Sequence, residues 1–273
     1  MDFRSVFQAA QSYVMLSRIQ SLSQLYIIGS LPENKFYASQ QALEELKRLD
    51  SVSINRNPSL WEQPGDEKIK IGILNCHSLM DKINDIKNDL MMFFADVLCF
   101  SETWLKQDCS VDELMITGYD CHLNSIGVGK GIATYFKSEK GYIENETTRW
   151  NLQMTKLNFS DVNIICLYRS QGAKSQDIVD CLHQLIDADK PTIVAGDFNL
   201  CYVDQRENVI VKYLENLGFS QLVEEATHIQ GGHIDHVYSN HSKTVYDVHV
   251  MAYSPYYTCQ DHDAILVTLQ CLS

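Results

Sequence analysis

An α/β sandwich is the fold this sequence predicts over residues 68–273, and three observations predict it. Short apolar runs of strand character alternate with segments whose apolar residues recur at helical spacing. Several of those runs are followed at once by Asn, Glu, Asp or His, as loops at sheet ends are when a rigid scaffold carries chemistry. The composition is that of a folded protein, with 45% hydrophobic residues and no low-complexity tract or repeat in 273 residues.

The elements follow in order. Ile69, Ile71 and Ile73 alternate with Lys70 and Gly72, which is the period of a strand. Leu79, Ile83, Ile86 and Leu90 then share one face of a helix. Asp96-Val-Leu-Cys-Phe is a short buried strand, and Ile164 to Tyr168 and Thr192 to Gly196 are further apolar strands with a helix over 177–186 between them. A helix over 209–217 and a last strand over 264–269 complete the pattern. Residues 1–50 form a separate block with its own helix over 38–49, and residues 51–67, carrying Pro58, Pro64 and Gly65, read as a linker.

Bulk properties exclude some classes. The most apolar run, Met91 to Phe100, is about half the ~20 residues of a membrane span and contains Asp96. The start, MDFRSVFQAA, has no uninterrupted apolar core of the kind a signal peptide needs. Nine cysteines form no CxxC pair, and Cys76, Cys99 and Cys166 sit in apolar runs, so reduced, buried thiols and an intracellular protein are expected. The net charge of −13 argues against holding nucleic acid by charge alone. It is compatible with a metal-bridged phosphate site, because clustered carboxylates are what hard divalent cations require.

The polar residues carry the chemistry. Asn75 ends the first strand, and Ser101-Glu102-Thr103-Trp104 follows the second. Gly196-Asp197-Phe198-Asn199 ends a later one, with Gly232-His-Ile-Asp235-His236 and Gln260-Asp261-His262-Asp263 near the C-terminus. Singly, each has a bland reading. Asn75, Asp197 and Asn199 are turn formers, Glu102 suits a helix first turn, and His262 suits a satisfied structural histidine. Together they supply hard oxygen ligands, hydrogen-bond donors and a titratable base. Trp104 is expected in the core. His228, His233 and His236 lack zinc-finger spacing, and Gly127-Val-Gly-Lys-Gly lacks the spacing of a nucleotide-binding loop.

The order N…ETW…GDFN…HID…DH resembles the endonuclease/exonuclease/phosphatase superfamily across residues 68–273. The segments LNCHSLMDKINDIKNDL and DVLCFSETWL, and the glycine-led strand from Gly129 to Tyr135, look like retrotransposon endonucleases. The resemblance implies a four-layer α/β sandwich, two central mixed sheets flanked by helices. It also implies a Mg2+-dependent phosphodiesterase, with Mn2+ as the alternative ion and DNA as substrate. Asn75, Glu102 and Asp261 would belong to the metal site, with Glu102 a direct ligand. Asp197 would handle the proton of the water or leaving group, and Asn199 would bond a phosphate oxygen. His262 would contact the phosphate with Asp235 fixing its tautomer. Tyr168 matches a family tyrosine loosely. Two departures stand out: His77 occupies a place that is acidic in many abasic-site nucleases, and Gln260 replaces the usual Ser.

Within the first block, Ser12 to Gly29 resembles the last motif of Helitron-type DNA helicases, with Arg18 as the residue that reaches an ATP γ-phosphate. A helicase remnant of small α/β character joined to a nicking endonuclease is the organisation of Helentron transposons. The expected protein is thus an intracellular, nuclear, DNA-nicking enzyme from which the rest of the helicase is missing. Two rival functions are an inositol-phosphate or phospholipid hydrolase of the same fold and an inactive, domesticated interaction module.

Overall fold

The computed structural model describes residues 68–88, 95–106, 109–124, 127, 129–149, 151–241, 245–251 and 261–270. All of them belong to the unit Gly65–Ser273. The helicase-like segment with Arg18, the linker 51–67, Leu90 and Gln260 lie outside the described residues.

Twelve strands and four helices are described. In chain order they are β1 (Lys68–Asn75), α1 (Leu79–Asn88), β2 (Val97–Ser101), α2 (Val111–Leu114), β3 (Asp120–Asn124) and β4 (Ile132–Phe136). There follow β5 (Gly141–Arg149), β6 (Leu152–Phe159), β7 (Val162–Arg169), α3 (Ser175–Leu185), β8 (Thr192–Asp197) and α4 (Val209–Asn216). The last are β9 (Ser220–Gln221), β10 (Asp235–Ser239), β11 (Val245–Met251) and β12 (Ala264–Gln270). They form two six-stranded sheets, ordered β11-β12-β1-β2-β4-β3 and β5-β6-β7-β8-β10-β9.

Each sheet is mixed in the same way. One parallel pair, β1 with β2 or β7 with β8, is flanked by antiparallel strands. Strands covered on both faces are apolar almost throughout, as β2, β4 and β8 are. The inner faces of the two sheets meet in one core of Ile71, Ile73, Ile132, Leu157, Ile164 and Ile193 among others. The outer face of the first sheet packs on Leu79, Ile83 and Ile86 of α1. The outer face of the second packs on Ile178, Cys181 and Leu182 of α3 and Ile210 and Leu214 of α4. The result is four layers, helix, sheet, sheet, helix, as the resemblance implied.

One expectation is corrected. Cys99 on β2 and Cys166 on β7 form a disulfide that joins the sheets, with Cα atoms 6.0 Å apart, so these two thiols are not free. They meet because both side chains point into the inter-sheet core. Asn75 and Asp197 end β1 and β8, whereas Asp235 opens β10 and His262 lies two residues before β12. β10 runs antiparallel to β8 and β12 antiparallel to β1, so their N-terminal ends reach the same edge as the C-terminal ends of β1, β2, β7 and β8. Asp235 lies directly opposite Asp197 in the β10–β8 register. Among the described residues no helix is long and apolar enough to cross a membrane.

Candidate active site

The residues singled out from the sequence converge at that edge, on an open cleft of about 540 Å³ lined by His77, Glu102, Asn199, His228, Asp261 and His262 among others. Strand ends from both sheets contribute, and so do the strained turns that follow them. His77, Ser78, Glu102, Trp104 and Asn199 all have left-handed backbones, at φ of 36, 79, 51, 53 and 44°. Non-glycine residues accept that conformation at a cost of about 1–2 kcal/mol each when the surroundings impose it. The turn after β1 is pinned to the end of β2 by Cys76 N–H to the Ser101 carbonyl and Ser78 N–H to the Glu102 carbonyl, both at 2.9 Å.

Asp197 is the most enclosed acid. It is 1% exposed and accepts three N–H groups: Asn75 Nδ2 at 2.9 Å, Asn199 N at 2.7 Å and Asn199 Nδ2 at 3.1 Å. Burial still raises its pKa well above the ordinary carboxylate value, and the charge of Asp235 across the ladder adds to the rise. It is therefore equipped to take a proton. Asn199 spends both amide hydrogens, on Asp197 and on the Arg169 carbonyl at 2.8 Å. It would bond a phosphate oxygen through Nδ2 only by releasing one of them.

His262 is 5% exposed, and its Nδ1 lies 2.9 Å from Asp235 Oδ2. Burial opposes its charged form, but the hydrogen bond and charge of Asp235, with Asp197 and Asp261 behind it, prevail and lift its pKa to about 9. Nδ1–H therefore donates to Asp235, and Nε2 faces Asn75 Nδ2 at 3.3 Å. That contact is a weak hydrogen bond to the neutral ring and a mere approach to the charged one, which has no lone pair.

A stability prediction follows. A raised histidine pKa stabilises the fold fully below the ordinary value of 6.5, and the contribution is lost as pH rises through about 9. Urea unfolding in chelator should therefore show a His262 contribution of at most about 3 kcal/mol to the loss between pH 6 and pH 10, so that the loss is smaller in His262→Asn. Asp197 has the same sign, but its slope begins in the acid range. A flat profile for the parent protein above pH 6 would contradict the His262 assignment.

Glu102 anchors the other side of the cleft. Its Oε1 receives the Tyr168 hydroxyl at 3.0 Å, and its Oε2 receives Trp104 Nε1–H at 3.1 Å. Trp104 is thus not a core residue. Its left-handed backbone turns the ring out beside Glu102, where the indole N–H finds a partner. Tyr168 is buried, and burial, the Glu102 charge and Asp197 all push its hydroxyl up, so it serves as a neutral donor. The same hydroxyl lies 3.1 Å from the Gly129 carbonyl, which ties the glycine-led turn to the site. Asp261 completes the cluster, with Oδ2 3.4 Å from His228 Nε2 and Oδ1 3.3 Å from His77 Nδ1. Burial alone would raise its pKa; His77, His262 and His228 lower it.

Three neighbours escaped the sequence reading. Arg169 donates from Nη1 to the Phe198 and Asn199 carbonyls at 3.1 and 2.9 Å and from Nη2 to Ala173 at 3.0 Å, and so fixes the Asp197–Asn199 turn. His228 pairs with His262 in a β-bridge and meets its ring edge-on at 5.0 Å. His77, noted only as a departure, stands between Glu102 and Asp261. Nothing local in the sequence marks these roles, because each depends on contacts tens of residues away.

The donor set suits a hard divalent cation. Glu102 and Asp261 supply carboxylate oxygens at the cleft wall, and Asp261 Oδ1 is buried without a hydrogen bond among the described residues. Residues 74–262 match the model of the Endonuclease/Exonuclease/phosphatase family. The chain belongs to that family, whose hydrolases are typically metal-dependent nucleases and phosphatases. Its fold is similar to an AP endonuclease from Archaeoglobus fulgidus, with 16% identity, TM-score 0.60, and 74% of this chain covering 99% of that one. It is similar also to the 3' phosphatase NExo from Neisseria bound to a product DNA hairpin (17% identity, TM-score 0.56, 74% and 100% covered). A third likeness is to the endonuclease domain of TRAS1, a telomere-specific non-LTR retrotransposon (11%, 0.56, 74% and 98%). No curated protein matches the chain.

Proposed function

We propose that this chain is a Mg2+-dependent phosphodiesterase that nicks DNA for a transposable element. One observation carries the reading: Glu102, Asp261 and His262 line one open cleft, and Asn75, Asp197 and Asp235, up to 187 positions from His262 in sequence, lie buried behind His262 and bonded to it or to one another. Glu102 and Asp261 of the cleft wall, with Asn75 as the amide of the set, would hold Mg2+, or Mn2+ in its place. The bound cation supplies charge neutralisation at the scissile phosphate and the leaving oxygen.

The protein's own groups do the rest. His262, kept protonated by Asp235, donates from Nε2 to a phosphate oxygen as negative charge builds there. Asp197, whose carboxyl sits between Asn75 and Asn199, receives the proton of the attacking water. Asn75 orients Asp197, and Tyr168 holds Glu102 toward the cleft. DNA is the proposed substrate because the local wording of the first two strands resembles retrotransposon endonucleases. The helicase-like wording around Arg18 supports a Helentron origin, with action inside the cell in the nucleus.

Glu102→Gln keeps the volume and removes the ligand charge. Its expected result is a loss of magnesium-dependent plasmid nicking by about a hundredfold or more with an unchanged fold. Nicking by this variant at the parent rate would end the assignment. Release of phosphate from inositol phosphates by the parent, without nicking, would move the substrate to small phosphoesters.

A further inference from the structure

The cleft wall also gathers a donor set of a different kind, two imidazoles and one carboxylate. One donor atom from each of His77, Asp261 and His262 lies within 4.8 Å of the other two. Which nitrogens are on offer follows from what holds the others. Nδ1 of His262 is spent on Asp235 Oδ2 at 2.9 Å, which leaves Nε2, in contact with Asn75 Nδ2 at 3.3 Å. The two nitrogens of His77 face opposite ways, Nε2 3.3 Å from Glu102 Oε2 and Nδ1 3.3 Å from Asp261 Oδ1. With its hydrogen on Nε2, toward Glu102, the ring turns the Nδ1 lone pair to the Asp261 side. Stacking on Trp104, with centroids 5.5 Å and planes 20° apart, anchors the ring, and it meets the His262 ring edge-on.

Asp261 supplies the third donor. His228 Nδ1 accepts Gln230 N–H at 3.2 Å, so His228 Nε2 carries the hydrogen that faces Asp261 Oδ2 at 3.4 Å. Asp261 Oδ1, by contrast, is buried without a hydrogen bond among the described residues, near as His77 Nδ1 is. Their 3.3 Å spacing matches the ~3.3 Å between two ligands that each stand about 2.0 Å from a tetrahedral ion. Each donor also has a partner behind it: Asp235 behind His262, Glu102 behind His77, His228 behind Asp261. A carboxylate at the far nitrogen of a ligating imidazole is the usual outer arrangement at zinc.

We propose that His77 Nδ1, Asp261 Oδ1 and His262 Nε2 form a binding site for Zn2+, with the fourth tetrahedral position facing the cleft. Two imidazoles and a carboxylate suit zinc, whereas Mg2+ prefers oxygen donors. The ion replaces the proton on His262 Nε2. The site does not depend on the magnesium reading. Where that reading holds, Zn2+ takes Asp261 from the Mg2+ set and His262 from the phosphate, and so arrests the reaction.

The test uses the full chain and needs no turnover. Zn2+ affinity is measured by competition with a chromophoric chelator, and Co2+ is used as a spectroscopic substitute. The parent should bind one Zn2+ that depends on these three residues and give the intense visible bands of four-coordinate Co2+, without thiolate charge transfer. His77→Ala should lose at least about a hundredfold in Zn2+ affinity, the upper end of what removing a mere outer partner costs. Asp261→Asn, which keeps the side-chain shape, should lose as much and guards against a folding defect in the alanine variant. Glu102→Gln removes only the partner behind His77 and should lose about tenfold. Unchanged Zn2+ affinity in His77→Ala overturns the proposal, as does a Glu102→Gln loss equal to that of His77→Ala, which would put the ion on Glu102 itself. Loss of binding in Cys201→Ser, the thiol that lines the same cleft, would also overturn it. A parent that binds no Zn2+ ends this inference and leaves the magnesium reading to the nicking assay of Glu102→Gln.

Discussion

Replacing His262 by alanine or Asp235 by asparagine is expected to slow plasmid nicking by about a thousandfold, and replacing both should cost little more. The two side chains form one unit: Nδ1–H of His262 donates to Asp235 Oδ2 at 2.9 Å in a setting where both are nearly inaccessible. The side-chain amide of the Asp235→Asn variant would present either an N–H or a neutral oxygen to that nitrogen. In the first case the ring must turn its hydrogen to Nε2, and in both the positive charge loses its partner. Without the imidazole, Asp235 has nothing to orient, so the second loss adds nothing to the first. Double-mutant kinetics decide the matter, with thermal melts to show that each variant is folded. Losses that multiply to about a millionfold would show that the residues act independently and would dissolve the pair.

The largest structural effect is expected at Gly196, beside Asp197. Its φ of +140° lies outside what other residues adopt readily, and a Cβ there would stand 1.9 Å from the Leu167 carbonyl oxygen of the paired strand. That oxygen belongs to backbone in the middle of a six-stranded sheet and cannot step aside. Gly196→Ala should therefore destabilise by about 4 kcal/mol or more, enough to leave the chain unfolded or aggregated. Gly118→Ala is the control. Its φ is +87°, but a Cβ there meets nothing within 4 Å, so only the local strain of about 1 kcal/mol is expected. Thermal unfolding of the two side by side is the measurement. A Gly196→Ala protein melting within a few degrees of the Gly118→Ala protein would refute the steric argument.

The sequence showed most where local pattern and tertiary role coincide. Asp197 follows five residues of buried strand, so its place at a sheet edge can be read without a structure. The fold class, α1, α3, α4 and the central strands were legible for the same reason, since burial on one or both faces imposes the apolar period. The β5 strand was not legible. Its sequence, GYIENETTR, lies on a sheet edge with most side chains in solvent, so no core selects its residues. Trp104 was misjudged because large aromatics usually pack inward, and only the left-handed turn after β2 shows otherwise. The disulfide could not be inferred from spacing, because the 67 positions between Cys99 and Cys166 say nothing of two strands facing across a core.

The chemistry also straddles a seam. Asn75 and Glu102 ride on one sheet, Tyr168, Asp197 and Asp235 on the other, and His262 leads into the first again. The hydrogen bonds from Asn75 to Asp197 and from Tyr168 to Glu102 cross between them. Neither sheet alone holds a complete set, so turnover becomes a ruler for how well the two halves of the sandwich are seated. A slip of a fraction of an ångström between the layers would leave the circular dichroism of both sheets intact and silence the proposed activity. Distant substitutions in the shared core, at Ile73 or Ile164 for instance, can thereby act on catalysis through alignment alone.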